Sequence, residues 1–269
     1  MTPALMLTRR TFLTDLGRGA LALTVVGIAG CAPTLSASSA PGQAGTPAPS
    51  GGASAGAGGS ASPASPSQPA GSSNGGVTWE RVNLGFVSAY VLVRGGEAAV
   101  VDTGVAGSDD EIAAALGRIG LGWGNVGHVV LTHMHPDHAG SAAAVLGQAP
   151  DAAGYAGAQD VAAITVPRPL VSLADGDHVF DLLVVATPGH TAGHISVLDE
   201  IAGILVAGDA LGTTGGVLQG SNPQFTADAD AAKASVAKLG ALRYETLLVG
   251  HGEPILTGAS AQVAALAGG

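Results

Sequence analysis

Residues 131–140 read Leu-Thr-His-Met-His-Pro-Asp-His-Ala-Gly. His133, His135, Asp137 and His138 place three imidazoles and one carboxylate within six residues. Imidazole and carboxylate without thiolate suit Zn2+ or another borderline divalent ion, so this spacing points to a metal site. Three further candidate ligands follow at wide intervals: His190, Asp209 and His251. Each sits in a Gly-containing turn after an apolar run: Leu182 to Ala186, Ile204 to Ala207, and Leu247 to Val249. Strand ends hold side chains in fixed positions, and the loops beyond them leave those side chains open to a substrate. Taken alone, Gly208-Asp209 reads equally well as a simple turn.

The elements that must position these groups begin with short β-rich runs, Trp79 to Leu84, Tyr90 to Val93 and Ala98 to Val101. Ser108 with Glu111 fits a capping box and predicts a helix running to Ile119 and stopping at Gly120. A strand is expected from His128 to Leu131, and a second helix after His138, near Ala139 to Leu146, with its N-terminus toward the metal site. Strand-like runs then alternate with Gly/Pro turns: Ala153 to Tyr155, Leu170 to Leu173, His178 to Phe180, Leu182 to Ala186, Ile195 to Leu198 and Ile204 to Ala207. A helix from Ala227 to Leu239, a strand from Thr246 to Val249 and a short Ala-rich closing helix complete the chain. Periodicity alone yields a mixed α and β layered domain.

Five motifs stand in order along the chain: Val-Val-Asp-Thr-Gly at 100–104, the histidine motif at 133–138, Thr-Pro-Gly-His-Thr at 187–191, Gly-Asp at 208–209 and Gly-His-Gly at 250–252. Over about residues 77–269 this set resembles the metallo-β-lactamase superfamily of hydrolases. The resemblance implies an α+β fold, a four-layer αββα sandwich with the ligand loops at one edge between two sheets. It implies that His133, His135 and His190 hold one metal and that Asp137, His138 and His251 hold a second, with Asp209 bridging. Two Zn2+ per chain are implied, with iron or manganese as other occupants. A metal pair lowers the pKa of water toward 7, and Asp137 then serves as the catalytic group that orients the nucleophile or shuttles its proton.

Several residues fall outside the ligand set. His128, His178 and His194 read as surface residues or as supports behind the ligands. Asp102 is a better support, because it follows the buried-looking run Ala98 to Val101 and is placed to hydrogen-bond a ligand imidazole. Thr103, Thr132 and Thr191 are candidates for the same duty. Tyr155 and Tyr244 are candidate substrate contacts that nothing in the sequence places in the cleft. Asn222-Pro223-Gln224-Phe225 reads either as cleft wall or as a plain connection.

The chain divides into three expected parts. Residues 1–30 look like a targeting segment: Thr8-Arg9-Arg10-Thr11-Phe12-Leu13 resembles a twin-arginine export motif, and Ile28-Ala29-Gly30-Cys31 resembles a bacterial lipobox. Residues 31–76 comprise Cys31 and a linker almost wholly of Ala, Pro, Ser, Gly and Thr, too poor in apolar bulk to offset its ordering entropy. As a Gly-rich coil its reach is roughly 40 Å. Residues 77–269 form one hydrolase domain carrying all eight His, both Trp and all three Tyr. Cys31 is the sole cysteine, so no disulfide within the chain is available and stability must come from core and metals. The expected location is the outer face of a bacterial cell membrane, with Cys31 as the one membrane attachment.

Formal charge is −10, and removing residues 1–30 takes away three arginines and one aspartate, a charge of +2, which leaves −12. That excludes nucleic acid or an anionic lipid surface as the expected partner, since both need a cationic face. The leading expectation is a lipid-anchored dinuclear zinc hydrolase acting on a small-molecule ester, thioester or lactone. One alternative is a metallo-β-lactamase acting on β-lactams, against which stand Asp209 and the lack of a Cys ligand. Another is a mononuclear iron enzyme of the persulfide dioxygenase type, holding metal on His133, His190 and Asp209 alone. Hydroxyacylglutathione hydrolases carry extra helices beyond the last motif, so glutathione thioesters are expected to be a poor match.

Overall fold

The computed structural model describes residues 75–269. The export and lipobox patterns, Cys31 and the linker as far as residue 74 lie outside the described residues. The first sheet runs β1 (Thr78–Asn83), β2 (Ser88–Arg94), β3 (Glu97–Val101), β4 (Val126–Leu131), β5 (Ala153–Gly157) and β6 (Val171–Leu173), paired in that order. The second takes β7 (His178–Val179), β8 (Leu182–Ala186), β9 (Ile195–Asp199), β10 (Ile204–Val206) and, beyond a hairpin and a helix, β13 (Thr246–Leu248), in the order β13-β10-β9-β8-β7. The hairpin is β11 (Leu211–Thr214) with β12 (Val217–Gly220).

Both sheets are apolar on both faces, which is why their strands read as continuous apolar runs rather than as alternation. In β3, Ala98 and Val100 face one core while Ala99 and Val101 face another; β2 and β4 split in the same way. The outer core of the first sheet is closed by α1 (Asp109–Arg118) through Ile112, Ala115 and Leu116, and by α3 (Ala142–Gln148) through Val145 and Leu146. The central core joins the two sheets, with Tyr90, Leu92 and Val130 meeting Val184, Ile195, Val206 and Leu248. The far core lies under α4 (Ala229–Gly240) and α5 (Ala259–Gly268), where Val236, Leu239 and Val263 cover Leu205 and Leu247. These packed faces make four layers, helix, sheet, sheet, helix, as expected. Truncating a fully buried member such as Leu205 to Ala would cost about 2–5 kcal/mol.

Two expectations about helices need correction. Ser108 is the residue before α1, but its side chain makes no capping bond, so there is no capping box with Glu111. Its backbone sits at φ −82° and ψ 5° rather than in the extended region a capping residue uses, and its amide donates to Ser141 Oγ at 2.8 Å. The helix near Ala139 to Leu146 is two pieces, α2 (Pro136–Ala139) and α3, broken at Gly140-Ser141. A Cβ on Gly140 would lie 2.2 Å from the Pro136 carbonyl oxygen and 2.7 Å from the Ala106 amide, so the break is a close approach to the loop after β3. Asp137 and His138 are therefore inside the short α2 rather than ahead of a helix. Proline at its first position suits a helix start.

Candidate metal centre

Topology gathers the candidate ligands before any side chain is considered. β3, β4 and β5 are parallel, so Asp102, His133 and Asp160 leave the same edge of the first sheet. β10 and β13 are parallel in the second sheet and deliver Asp209 and His251 to that edge, while β8 ends just before His190 and its antiparallel neighbour β9 starts just after His194. The edge is stapled across the sheets: the Ile195 amide donates to the Thr132 carbonyl at 2.9 Å, the Ser88 amide to the Gly250 carbonyl at 2.9 Å, and the Tyr90 hydroxyl to the Val249 carbonyl at 2.8 Å.

Three imidazoles form the first group. His135 Nδ1 lies 3.1 Å from His133 Nε2 and 2.9 Å from His190 Nε2. Nitrogens bound about 2.0–2.1 Å from one tetrahedral ion sit roughly 3.3 Å apart, close to these separations. The far nitrogens are held from behind. His133 Nδ1 is 3.1 Å from Thr132 Oγ1, and His190 Nδ1 is 3.1 Å from Ser221 Oγ. Thr226 donates its hydroxyl to the Asn222 carbonyl and so accepts from Ser221, which leaves Ser221 to accept from His190 and fixes that ring's Nδ1 as the protonated one.

Asp137, His138 and His251 form the second group. His251 Nε2 is 3.3 Å from Asp137 Oδ2 and 3.4 Å from His138 Nε2. His138 donates from Nδ1 to Asp102 Oδ2 at 2.7 Å, and His251 donates from Nδ1 to the Phe86 carbonyl at 2.7 Å, so both rings turn Nε2 inward. Asp102 also accepts from the Thr132 amide at 2.7 Å and from its hydroxyl. Its φ of 61° puts a buried residue in the left-handed region, a conformation Asp tolerates better than most residues and one that aims the carboxylate back under His138.

Asp209 stands between the groups. Its Oδ1 is 3.1 Å from His138 Nε2, and its Oδ2 is 3.2 Å from His190 Nε2 and 3.3 Å from His251 Nε2. The 3.1 Å approach is a charge contact without hydrogen-bond geometry, so Oδ1 is a buried oxygen with no hydrogen bond. A buried carboxylate oxygen left in that state asks for a cation. Together with ligand atoms that converge within 4.8 Å in three overlapping sets, it makes the residues a fit for bound metal.

Charge is distributed to match. Burial lowers His133 well below its usual value and takes His190 to about 4, so these two rings are neutral. Burial also opposes charging His138, but the Asp102 and Asp209 carboxylates push it up to about 10. His251 rises to about 10 beside Asp137 and Asp209. Asp137 is lowered by His251, and Asp209 is held well below the carboxylate range by His138 and His251 against its own burial.

All seven ligand candidates thus meet at one edge. Asp102 and Thr132 support them directly, Thr103 donates to the His138 carbonyl at 2.9 Å, and Thr191 acts through Asp160. One support, Asp160, escaped the sequence reading. Asp160 accepts from the Met134 amide at 3.0 Å, the Thr191 hydroxyl at 2.6 Å and the Gly193 amide at 2.8 Å, tying the His133–His135 loop to the His190 loop. Of the two readings of His194, the structure shows the support: it is buried, Nε2 accepts from the Asp209 amide at 3.0 Å, and so Nδ1 donates to Thr187 Oγ1 at 2.8 Å. Burial holds it at about 3, neutral in that role. His128 packs against Tyr155 and Phe180, and His178 is exposed, both away from the ligands. Tyr155 and Tyr244 do not line the cleft over the site, whereas Asn222, Pro223 and Phe225 do.

Comparison with known proteins agrees with this geometry. The family model of the Metallo-beta-lactamase superfamily matches residues 82–251. A hydroxyacylglutathione hydrolase of Acidiphilium cryptum (strain JF-5) is 32% identical over 179 residues, 61% of this chain and 63% of the relative. The chain spans about half the length of the curated relatives it matches. A metallo-beta-lactamase family protein from Thermus thermophilus superposes with a TM-score of 0.58 at 23% identity, covering 72% of this chain and 78% of the other. TTHA1623, solved in a di-iron-bound form, gives a TM-score of 0.55 at 26% identity, covering 66% of this chain and 93% of the other. A family match across most of the domain, the sandwich fold and a convergent His/Asp edge place this chain in the metallo-beta-lactamase superfamily.

Proposed function

We propose that the domain hydrolyses an ester, thioester or lactone with a pair of zinc ions, one held by His133, His135 and His190 and the other by Asp137, His138 and His251. The observation that carries this reading is the placement of Asp209, whose two oxygens face nitrogens of both groups. When bound, such a pair supplies Lewis acidity, which lowers the pKa of water toward 7 and polarises the substrate carbonyl.

The chain's own residues do the rest. Asp102, Thr132, Ser221 and the Phe86 carbonyl fix ring orientation, so ligand atoms need no reorganisation when metal arrives. Asp137 lines the cleft, is part-exposed and stays ionised beside His251, which suits it to take a proton from an attacking water and return it to the leaving group. The clustering of Asp137, His138 and His251 favours two metals over the mononuclear arrangement on His133, His190 and Asp209. Iron in the same two positions is the second reading, which the di-iron form of TTHA1623 favours.

We further propose export through Thr8 to Leu13 and lipid attachment at Cys31, on the strength of those sequence patterns. The test of the hydrolase reading is metal content and hydrolysis measured on one sample. About two zinc ions per chain with chelator-sensitive ester, thioester or lactone hydrolysis supports it. One ion per chain, or a two-metal protein inert toward all three substrate classes, overturns it.

A further inference from the structure

The cleft above the ligand edge has a volume of about 640 Å³, and its walls beyond the metal-site residues are apolar or neutral. Phe86 comes from the turn between β1 and β2, Leu211 and Thr214 from β11, Gln219 from β12, and Pro223 and Phe225 from the connection into α4. Phe86 is 63% exposed and Phe225 is 61% exposed, an unusual condition for two phenyl groups lining one cavity. Exposed aromatics in a concave site mark ligand contact. Phe86 also stacks on His251, with ring centroids 6.1 Å apart and planes 17° apart, so apolar wall and ligand edge are continuous.

The charged groups point the same way. Among the described residues, the ionisable side chains lining the cleft are all carboxylates and histidines of the metal site. Seven Lys and Arg lie among residues 75–269, and none of them lines it. Arg81 reaches the Gly252 carbonyl but is 3% exposed and held by Ser88 and Glu253, and Lys233 lines a separate pocket beside Gly220 and Pro223 rather than this cleft. Arg94 is held by Asp199, Arg118 by Glu80 and Lys238 by Asp175, and Arg168 caps the Ala149 and Ala152 carbonyls. A substrate carboxylate away from the scissile bond would lose water against phenyl groups with no cation to receive it, inside a domain of formal charge −12.

We infer that this cleft selects an uncharged substrate whose non-reacting part is apolar and packs on Phe86 and Phe225, and that it discriminates against substrates bearing a remote carboxylate. The inference rests on the hydrolase reading for its chemistry and on the cleft alone for its selectivity. Glutathione thioesters, which carry two carboxylates, are disfavoured on this ground even though several relatives are named hydroxyacylglutathione hydrolases.

Binding separates the two readings. γ-Lactams carrying a hexyl chain, and the same lactams with the chain ending in a carboxylate, are titrated calorimetrically into metal-loaded protein. The hexyl compound is expected to bind at least about tenfold more tightly, with affinity rising about threefold to fourfold per added CH2 until the chain outgrows the cleft. Phe225→Ala should flatten that chain-length dependence, and Gln219→Lys should narrow the preference by improving binding of the carboxylated compound relative to the hexyl compound. Equal or tighter binding of the carboxylated lactam by the unaltered protein overturns the inference, whether or not the protein hydrolyses anything. In turnover, thioesters of one acyl group on an uncharged thiol and on glutathione should differ in kcat/KM by at least about tenfold in favour of the uncharged thiol. The reverse order would also overturn it.

Discussion

Asp160 accepts the hydroxyl of Thr191 at 2.6 Å through Oδ2, the same oxygen that receives the Met134 amide at 3.0 Å. Met134 lies between His133 and His135, and Thr191 follows His190, so one carboxylate spaces the loops that carry all three imidazoles of the first group. Asn at this position would turn an NH2 toward a donor on one side and break one of the ties. Asp160→Asn is expected to weaken metal at His133, His135 and His190 by about 10–100-fold and to leave the group of Asp137, His138 and His251 nearly intact. Cobalt titration followed by visible absorption reads the two sites separately. A uniform loss at both, or no loss at either, would count against a positioning role.

Gly250 packs directly against the bridging carboxylate. A Cβ there would lie 2.5 Å from Asp209 Oδ1 and 2.6 Å from His138 Cε1. Neither atom belongs to a free chain end, because His138 is pinned by Asp102 and Asp209 Oδ1 is buried. Gly250→Ala should therefore strip metal from the second group and reduce turnover by orders of magnitude, with only about 1–3 kcal/mol lost from the fold. Gly117→Ala is the contrasting variant, since Gly117 is an exposed residue of α1 with open space around the added methyl. It should raise stability by about 0.4–1 kcal/mol without touching activity. Metal content and denaturant midpoints of the pair check both statements.

The contrast between these residues explains what the sequence could disclose. His133, His135, Asp137 and His138 lie within six positions, so local spacing exposes them. Asp160 could not be read, because Met134 and Thr191 are 26 and 31 residues from it and meet only through parallel pairing of β4 with β5 and contact between the sheets. Gly193 and Asp160 touch for the same reason. His194 was ambiguous because a His four residues after a ligand points either to water or inward, and packing behind Asp209 decides it. The β11–β12 hairpin did leave a signal: Gly215-Gly216, both at positive φ, separates two β-prone dipeptides, Thr213-Thr214 and Val217-Leu218. Ser108 misled because a capping motif is a statement about backbone torsion as well as side-chain type.

Stability of the metal-free protein should peak near pH 6.5 and fall on both sides. On the acid side, His133, His190 and His194 have folded values below the usual 6.5, with His190 at about 4 and His194 at about 3. The unfolded chain takes up protons there that the folded chain refuses, so stability falls as pH drops from 6.5 toward 4. Asp137 and Asp209, both lowered, extend the loss below that range. On the alkaline side, His138 and His251 sit at about 10 when folded, so their contribution is complete below 6.5 and is lost as pH rises toward 10. Metal should remove the alkaline limb, because uptake at neutral pH must release those protons. Urea midpoints from pH 5 to 9 with and without zinc test this; a metal-free protein that grows steadily more stable from pH 6.5 to 9 would contradict it.

Export and chemistry make a joint prediction. Twin-arginine routes carry folded proteins, so this domain is expected to acquire metal before it crosses the membrane. Replacing Arg9 and Arg10 with Lys should leave active enzyme inside the cell, and Cys31→Ala should release active enzyme from the membrane fraction. Fractionation with activity and metal assays reads both. Active lipid-anchored protein still reaching the outside in the Lys variant would defeat the proposed route.

Asp137 has two proposed duties, ligand and proton carrier, and Asn separates them. The amide keeps one oxygen in place of the one 3.3 Å from His251 Nε2 but cannot take a proton. Asp137 is part-exposed in a short helix, so the fold should survive. If ligation were its whole contribution, excess zinc would restore the rate of Asp137→Asn. Proton transfer by a positioned group is worth about 10²–10⁴-fold, so the expected result is kcat reduced by at least about a hundredfold at saturating zinc with KM little changed. Near-normal turnover of the zinc-saturated variant would leave ligation as the only role for this carboxylate and would move the proton-accepting step to another group in the cleft.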